Sequence, residues 1–244
     1  MKYTIAITGL PRTGTTSLWR TYGEHPEITR SRRKEPLQTW NENSLDKYVY
    51  YNYIIKKNTK VLLDGSTNII TFKTELIKEV KQLSNIERFC CIYTVRDPIE
   101  RTLSQINNFL RNYFRGNLPK PNFLNEDLSI NYYHLNVFFC YMLDEPSIIK
   151  NLENAIGLEN IFFISINKIF IDQQRIFTAL GIRSNIQVEA RKLNRTVDLV
   201  PTLKQLQILI KIKDWVKENE TRLEEISKRS KEVIEKKYLQ GAYK

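Results

Sequence analysis

The sequence lacks several features that would place it in a membrane, in a secretory pathway or among metal-binding proteins. Its longest apolar stretches, such as Val137–Leu143, are far shorter than the roughly 20 residues that a membrane-spanning helix needs. The N-terminal segment has no cleavage signature, so we expect no secretory signal. The three cysteines, Cys90, Cys91 and Cys140, do not have the spacing of a metal site. These absences predict a cytoplasmic protein with reduced thiols and no bound metal.

The chain also lacks internal repeats and low-complexity linkers. Its 244 residues fit one large domain, with room for a buried sheet covered by helices. Hydrophobic residues make up 41% of the chain and charged residues 27%, which is typical of a globular protein. We therefore predict a single domain over 1–244, with a charged helical extension at about 201–244.

Basic residues are in excess and give the chain a formal net charge of +11. Such a surplus favours anionic ligands, among them nucleotides, acidic saccharides and nucleic acids. The densest basic cluster is Arg30–Lys34. It contains no interleaved aromatic side chain on which bases could stack, so nucleic acid is a disfavoured partner.

Short apolar segments alternate with segments of helical periodicity along most of the chain. We predict strands at Tyr3–Thr8, Val61–Leu63, Arg88–Val95 and Ile161–Ser165. We predict helices at Thr15–Tyr22, Thr71–Leu83, Pro98–Arg111, Tyr132–Leu143 and Asp172–Leu180, and two more after Pro201 that break near Asn219. This alternation indicates an α/β protein with a mostly parallel central sheet flanked by helices. Such sheets bind ligands outside the carboxyl ends of their strands.

The segment between the first strand and the first helix has the composition of a phosphate-binding loop. The motif Gly9-x-x-x-x-Gly14 is followed by two threonines, Thr15 and Thr16. It matches the Walker A motif except that Thr15 replaces the lysine. Glycines let the backbone curl around an anion, and the amides at the helix start point towards it. Arg12 supplies a cation from within the loop, while the missing lysine argues against an ordinary nucleoside triphosphatase.

A second candidate phosphate site follows the strand that ends at Val95. Arg96 comes directly after this strand, and Ser104 lies eight residues further on, two turns into the next predicted helix. An arginine at the tip of a buried strand calls for an anionic partner. That partner is either a bound phosphate or a neighbouring carboxylate, Asp97 or Glu100.

Together, these two segments resemble the nucleotide-binding signatures of the sulfotransferases that use PAPS (3′-phosphoadenosine 5′-phosphosulfate). In that family a Pro-x-x-Gly-Thr-Thr loop after the first strand binds the 5′-phosphosulfate, and an Arg-(seven residues)-Ser pair after a later strand binds the 3′-phosphate. The resemblance implies a P-loop NTPase-like fold and sulfuryl transfer without a metal ion. It assigns PAPS binding to Pro11, Arg12, Thr13, Gly14, Thr15, Thr16, Ser17, Arg96 and Ser104, with Arg195 in place of a C-terminal ligand.

Weaker similarities and some departures accompany these motifs. Lys34-Glu35-Pro36 is similar to a Lys-Glu-Pro segment of glycan and bacterial members of the family. Gly65 occupies the position where those members often have a lysine. Cytosolic members have a lysine in place of Arg12, although the protein-tyrosine branch has an arginine. The Arg-Lys-Gly segment of cytosolic members has no clear match, so Arg195 or the pair Arg191-Lys192 would have to replace it.

Three residues are candidates for the base that would activate the acceptor. The resemblance favours Glu35, with Arg12 as the cation that stabilises charge on the departing phosphate. His25 is a rival because an imidazole titrates near neutral pH. Asp64, at the end of a predicted strand, is the third.

The acceptor is left open between a saccharide, a small alcohol, a lipid and a peptide, and the accepting group between a hydroxyl and an amine. Asn112–Leu128 is rich in Asn, Pro and Gly and predicts a long surface loop. The main alternative function is a P-loop phosphotransferase such as a small-molecule kinase, in which Asp64 would hold Mg²⁺. A basic nucleic-acid-binding module would explain the charge but neither phosphate motif.

Overall fold

A computed structural model of the chain describes residues 2–39, 47–67, 74–189 and 201–237. The chain divides into two compact units. The first holds the described residues of Met1–Val95 and Ser147–Leu193, and the second holds those of Arg96–Pro146 and Asn194–Gln240. That the two units act as one domain stays a prediction from the sequence.

The first unit contains a five-stranded sheet in which every neighbouring pair of strands is parallel. Its strands are β1 (Tyr3–Thr8), β2 (Ile28–Arg30), β3 (Val61–Asp64), β4 (Ile86–Val95) and β5 (Ile161–Ser165). Their spatial order is β2-β3-β1-β4-β5. The predicted α/β class, with a parallel central sheet flanked by helices, is confirmed.

The helices of the chain follow in order as α1 (Thr15–Tyr22), α2 (Pro36–Thr39), α3 (Tyr48–Asn52), α4 (Thr74–Lys81), α5 (Pro98–Tyr113), α6 (Tyr132–Leu143), α7 (Glu145–Ile156), α8 (Gln173–Ala179), α9 (Leu203–Glu218) and α10 (Glu220–Lys237). Short 3₁₀ turns lie at Leu158–Asn160 and Ile166–Lys168. No helix of the described ranges combines the length and the apolar character that crossing a bilayer requires.

Several predicted elements have the bounds that the sequence indicated. Helices α1 and α6 and strands β1 and β5 match the predicted ranges, and α9 and α10 meet at Asn219 as expected. Strand β2 and helices α2, α3 and α7 are not predicted from the sequence. Strand β2 is only three residues long and ends in an arginine, so it carries too little periodicity to be recognised.

The arrangement of the strands brings several segments to one edge of the sheet. Ile7 of β1 pairs with Asp64, the last residue of β3, and Thr8 of β1 pairs with Ile92 of β4. Because neighbouring strands are parallel, the chain leaves β1 and β3 in the same direction. The segments after Thr8 and after Asp64 therefore start from the same edge.

The second unit is helical and has its own apolar core. Its buried members include Ile106 and Leu110 of α5, Phe139 of α6, Ile212 of α9 and Leu223 of α10. The residues 114–131 between α5 and α6 form the long loop that the sequence predicts, with one antiparallel bridge between Leu124 and Ile130.

Candidate functional site

The loop between β1 and α1 begins where the backbone passes very close to strand β4. The amide of Gly9 donates a hydrogen bond to the carbonyl of Ile92 at 2.8 Å. A Cβ atom on Gly9 would lie 2.9 Å from the backbone nitrogen of Thr94. Only glycine fits here, because the neighbouring atoms belong to the backbone of a central strand and cannot yield.

Two left-handed residues turn this loop into the start of helix α1. Arg12 has φ of +67° and Gly14 has φ of +81°. Gly14 occupies the N-cap position and has no side chain that could cap the first amides of the helix. Left-handed turns and helix N-termini both present backbone N–H groups to an anion, and the helix dipole adds positive charge there. The loop therefore has the conformation of an anion-binding site.

The hydroxyl groups of the loop divide into internal and accessible ones. The Thr13 hydroxyl donates to the carbonyl of Leu10 at 2.7 Å and also contacts the hydroxyl of Thr94 in β4. Thr13 and Thr15 are buried, whereas Thr16 is exposed and Ser17 is half-buried. The Thr13 side chain thus holds the loop against β4. The hydroxyls of Thr16 and Ser17 are the ones that a ligand could reach.

Glu35 lies beside the segment that follows β3. Its Oε1 accepts a hydrogen bond from Lys34 Nζ at 2.6 Å and lies 3.4 Å from the Thr67 hydroxyl. The chain approaches this closely because residue 65 is glycine: a Cβ there would lie 2.4 Å from the carbonyl oxygen of Lys34. Glu35 is therefore placed near the sheet edge from which the β1–α1 loop also starts.

Asp64 is fully buried, unlike the other candidate carboxylate. Its Oδ1 accepts from the amide of Ser66 at 2.7 Å, and its Oδ2 accepts from the hydroxyl of Tyr48, which also contacts Tyr53. Burial raises the pKa of Asp64 to about 6, although the hydrogen bonds from Ser66 and Tyr48 act to lower it. Both oxygens are occupied by internal donors, so the geometry favours a structural role for Asp64.

Replacing Asp64 with asparagine is expected to remove a contribution to the free energy of unfolding that declines between about pH 4 and pH 6. The folded carboxyl has a pKa of about 6, against a reference value of 3.8. The folded carboxyl therefore holds more of a proton in this window, and the contribution of Asp64 to the free energy of unfolding falls as the pH rises. Asparagine does not titrate. Urea unfolding at stepped pH values gives the free energy of unfolding of the unmodified protein and of Asp64→Asn. A difference between the two that does not change with pH would contradict the expectation.

His25 is buried, and both of its ring nitrogens bind backbone groups. Nδ1 accepts from the amide of Glu27 at 3.1 Å, so Nε2 carries the proton and donates it to the carbonyl of Arg183 at 3.1 Å. The ring also packs on Phe177 at a centroid distance of 4.8 Å. Burial lowers the pKa of His25 and keeps the ring neutral. These contacts favour a packing role for His25.

The second predicted phosphate motif lies in the other unit, at the start of helix α5. Arg96 directly follows the last residue of β4, and its Nη2 lies 3.4 Å from Glu100 on the exposed side of the helix. Ion pairs at a protein surface contribute about 0–1 kcal/mol, so this pair adds little to the stability of the fold. Ser104 lies two turns along α5 and is half-buried.

Lys231 is a further charged residue of this motif, and sequence analysis did not identify it. Its Nζ lies 2.5 Å from Oδ2 of Asp97, the residue between Arg96 and helix α5. Burial alone would raise the pKa of Asp97, but the hydrogen bonds from Lys231 and from the Glu100 amide lower it overall. The two residues are 134 positions apart, so no local pattern could have indicated the contact.

Arg195, and the alternative pair Arg191-Lys192, lie outside the described residues. Their predicted part in PAPS binding stays a prediction.

Comparison with known proteins relates the fold to one class of structures. No protein-family model matches the chain, and no curated protein matches its sequence. A sulfotransferase from Alicyclobacillus acidocaldarius aligns over 93% of this chain and 96% of its own, with 14% identity and a TM-score of 0.51.

Two further solved structures are similar over most of the chain. The sulfotransferase domain from the curacin biosynthetic pathway covers 87% of this chain and 98% of its own, at 15% identity and a TM-score of 0.47. The sulfotransferase domain from the Synechococcus PCC 7002 olefin synthase covers 87% and 96%, at 14% identity and a TM-score of 0.44. The likeness to the Alicyclobacillus structure is one of fold.

Proposed function

We propose that this protein is a sulfotransferase that moves a sulfuryl group from PAPS to a hydroxyl or amine acceptor and releases 3′-phosphoadenosine 5′-phosphate. The observation that carries the proposal is the β1–α1 loop, where left-handed Arg12 and Gly14 lead into an uncapped helix N-terminus. A fold shared with a bacterial sulfotransferase supports it. PAPS supplies the activated sulfuryl group. The residues of the chain bind and orient the donor and the acceptor, and they stabilise the charge on the departing phosphate.

The loop residues Pro11–Ser17 would hold the 5′-phosphosulfate end of the donor. The amides of the left-handed turn and of the first turn of α1 would donate hydrogen bonds to this anion. Arg12 adds a full positive charge and would stabilise the charge that develops on the departing phosphate. A sulfuryl group carries less negative charge than a phosphoryl group. The attacking oxygen is therefore repelled less by the sulfuryl group, and no metal ion is needed to screen that repulsion.

Arg96 and Ser104 would bind the 3′-phosphate and so distinguish PAPS from ATP. The Arg96 guanidinium is partly exposed, and its Nη2 lies 3.4 Å from the exposed Glu100 carboxylate, at the strand end where a phosphate would bind. Lys231 holds the neighbouring Asp97, so it would keep that carboxylate from competing for Arg96.

Glu35 would accept the proton of the acceptor group as the sulfuryl group arrives. It is partly exposed, and it is held by Lys34 and Thr67. His25 and Asp64 are less suited, because each is buried and uses its polar atoms for internal hydrogen bonds. We therefore assign the base to Glu35 and a structural role to the other two.

The contacts of Asp64 also favour this function over a phosphotransferase. A kinase would need the carboxylate at the end of β3 to hold Mg²⁺. Here its two oxygens accept from Tyr48 and from the Ser66 amide. Transfer that continues in the presence of a chelator would support the sulfotransferase, and transfer that stops would support the kinase.

The proposed location is the cytoplasm, and the acceptor class is a saccharide, small alcohol, lipid or peptide.

Binding of 3′-phosphoadenosine 5′-phosphate, compared with ADP and AMP, tests the donor. We expect the 3′-phosphorylated nucleotide to raise the melting temperature most, because only it can engage Arg96 and Ser104. Equal stabilisation by all three nucleotides would contradict the proposal.

Replacing Arg96 with alanine is expected to weaken binding of 3′-phosphoadenosine 5′-phosphate by roughly 2–3 kcal/mol, the scale of a hydrogen bond to a charged group. Binding of ADP should change little. Arg229→Ala is the matched control, because Arg229 also forms an exposed pair with a glutamate one helical turn away. Titration calorimetry of both variants with both nucleotides measures the effect. An equal loss of affinity for both nucleotides would show that Arg96 does not bind the 3′-phosphate.

A further inference from the structure

The second unit contains a cavity that the proposed function does not use. Its volume is about 490 Å³, and it lies among helix α5, the loop 114–131 and helix α6. Cavities of this size are typical of sites for small organic molecules, which are apolar with a few polar groups. The main lining residues are Phe109, Lys120, Phe123, His134, Val137 and Phe138.

Aromatic side chains form the apolar part of the cavity. The ring of Phe138 contacts that of Phe109 and that of Phe123, each at a centroid distance of 5.9 Å and at angles of 67° and 50°. Phe123 is buried, whereas Val137 of α6 and Leu118 of the loop are 47% and 41% exposed at the rim. A ligand that covers this surface would remove apolar area from water, which stabilises the complex.

Local hydrogen bonds hold the loop around the cavity. The amide of Asn131 donates to the carbonyl of Phe123 at 2.9 Å, and the amide of Asn125 donates to the carbonyl of Ser129 at 2.9 Å. Asn131 also caps α6 by accepting from the amide of His134. Because these bonds connect Phe123 to the start of helix α6, this part of the cavity wall is in place before a ligand binds.

Lys120 contributes a positive charge to the lining of the cavity. Its Nζ pairs with Glu126, whose side chain is 96% exposed. An ion pair with a fully solvated carboxylate contributes little stability. The anionic group of a ligand could therefore replace Glu126 at little cost. His134 adds a second polar group to the lining.

We infer that this cavity binds a small amphiphile, with its apolar body against the three phenylalanines and an anionic group on Lys120. The inference goes beyond the proposed function. All lining residues belong to the second unit, so binding can be measured without the nucleotide loop, and either proposal can fail while the other holds.

Dodecanoate and its uncharged analogue dodecanol, used below micellar concentrations, are suitable probes for titration calorimetry. We expect dodecanoate to bind more tightly than dodecanol. Val137→Glu places a carboxylate at the rim and should abolish binding of dodecanoate. Tyr133→Glu is the matched control, because it makes a glutamate on the same helix at a position that is 73% exposed and outside the lining. It should bind dodecanoate like the unmodified protein.

Lys120→Gln tests the anionic contact. It should weaken dodecanoate binding by about tenfold, the lower end expected for a charged hydrogen bond, and leave dodecanol unaffected. Lys228→Gln is the matched control, because it removes a lysine from another lysine–glutamate pair. It should change the affinity for neither dodecanoate nor dodecanol. If circular dichroism shows that Val137→Glu does not fold, Leu118→Glu replaces it, because Leu118 is also a partly exposed lining residue.

Three results would overturn the inference. The first is that neither probe binds the unmodified protein. The second is that Val137→Glu or Leu118→Glu binds dodecanoate as tightly as Tyr133→Glu does. The third is that Lys120→Gln leaves the preference for dodecanoate over dodecanol unchanged.

Discussion

Replacing Glu35 with glutamine is expected to lower kcat for sulfuryl transfer by about 10²–10⁴-fold, the usual contribution of a general base. Glutamine keeps the size and the hydrogen-bonding oxygen of the side chain, so the contacts with Lys34 and Thr67 can persist. It cannot take up the proton of the acceptor. The affinity for 3′-phosphoadenosine 5′-phosphate should stay nearly the same, because the donor is assigned to other residues.

Release of 3′-phosphoadenosine 5′-phosphate from PAPS measures this effect, with an acceptor chosen by screening alcohols, phenols, amines and saccharides. Glu75→Gln is the matched control, because Glu75 also pairs with a lysine, Lys78, at 2.8 Å, and lies exposed on helix α4. Its kcat should equal that of the unmodified protein. If Glu35→Gln turns over at the rate of the control, Glu35 is not the base.

Replacing Glu145 with glutamine is expected to lower the free energy of unfolding by about 3–5 kcal/mol, the usual cost of leaving a buried charge uncompensated. Arg101 Nη2 lies 2.9 Å from Glu145 Oε1, and both side chains are 0% exposed. The same Nη2 donates to the carbonyl of Met142 at 2.5 Å. Within the described residues, Nε and Nη1 of Arg101 have no hydrogen-bond partner, so Glu145 supplies most of the compensation for the charge.

The double variant Arg101→Met/Glu145→Gln separates lost charge compensation from lost packing. Because it removes the buried charge as well, it should be more stable than Glu145→Gln alone. Glu232→Gln, which breaks an exposed pair with Lys228 on α10, should change the free energy of unfolding by less than about 0.5 kcal/mol. Urea unfolding of the three variants gives the comparison. A loss below about 1 kcal/mol for Glu145→Gln would show that the Arg101 charge is compensated by other groups.

This ion pair also bears on the proposed donor site. Arg101 lies in the same helix as Ser104, five residues after Arg96. Its hydrogen bond to Met142 and its ion pair with Glu145 hold helix α5 against the end of α6 and the start of α7. We therefore expect Glu145→Gln to weaken binding of 3′-phosphoadenosine 5′-phosphate as well as the fold, although Glu145 is assigned no contact with the nucleotide.

The fold class could be predicted from the sequence because burial leaves a local pattern. Strand β4 contains Cys90 and Cys91 side by side and is buried on both faces through its central residues, as strands inside a parallel sheet are. Helix α1 begins after Gly14 and ends before Gly23, where the sequence places it. The two glycines of the β1–α1 loop could be recognised for a similar reason, because close approach and positive φ leave few other residues possible.

The roles of the titratable residues could not be predicted in this way. His25 has the intrinsic pKa of a base, but its two nitrogens are taken by Glu27 and by Arg183, which is far away in the sequence. Asp64 ends a strand, as a catalytic carboxylate could, yet it binds Tyr48 in a buried network. In each case the deciding contact comes from a residue whose position depends on the path of the whole chain.

The sequence by itself therefore determined the parallel α/β sheet and the helix that follows the Gly9–Gly14 loop, because periodicity and glycine placement are local properties. Only the tertiary structure decided that Gly65 admits the backbone of Lys34, which positions Glu35, and that Lys231 reaches Asp97. These contacts join residues far apart in the chain. Their partners share no spacing or composition, so only the folded backbone brings them within bonding distance.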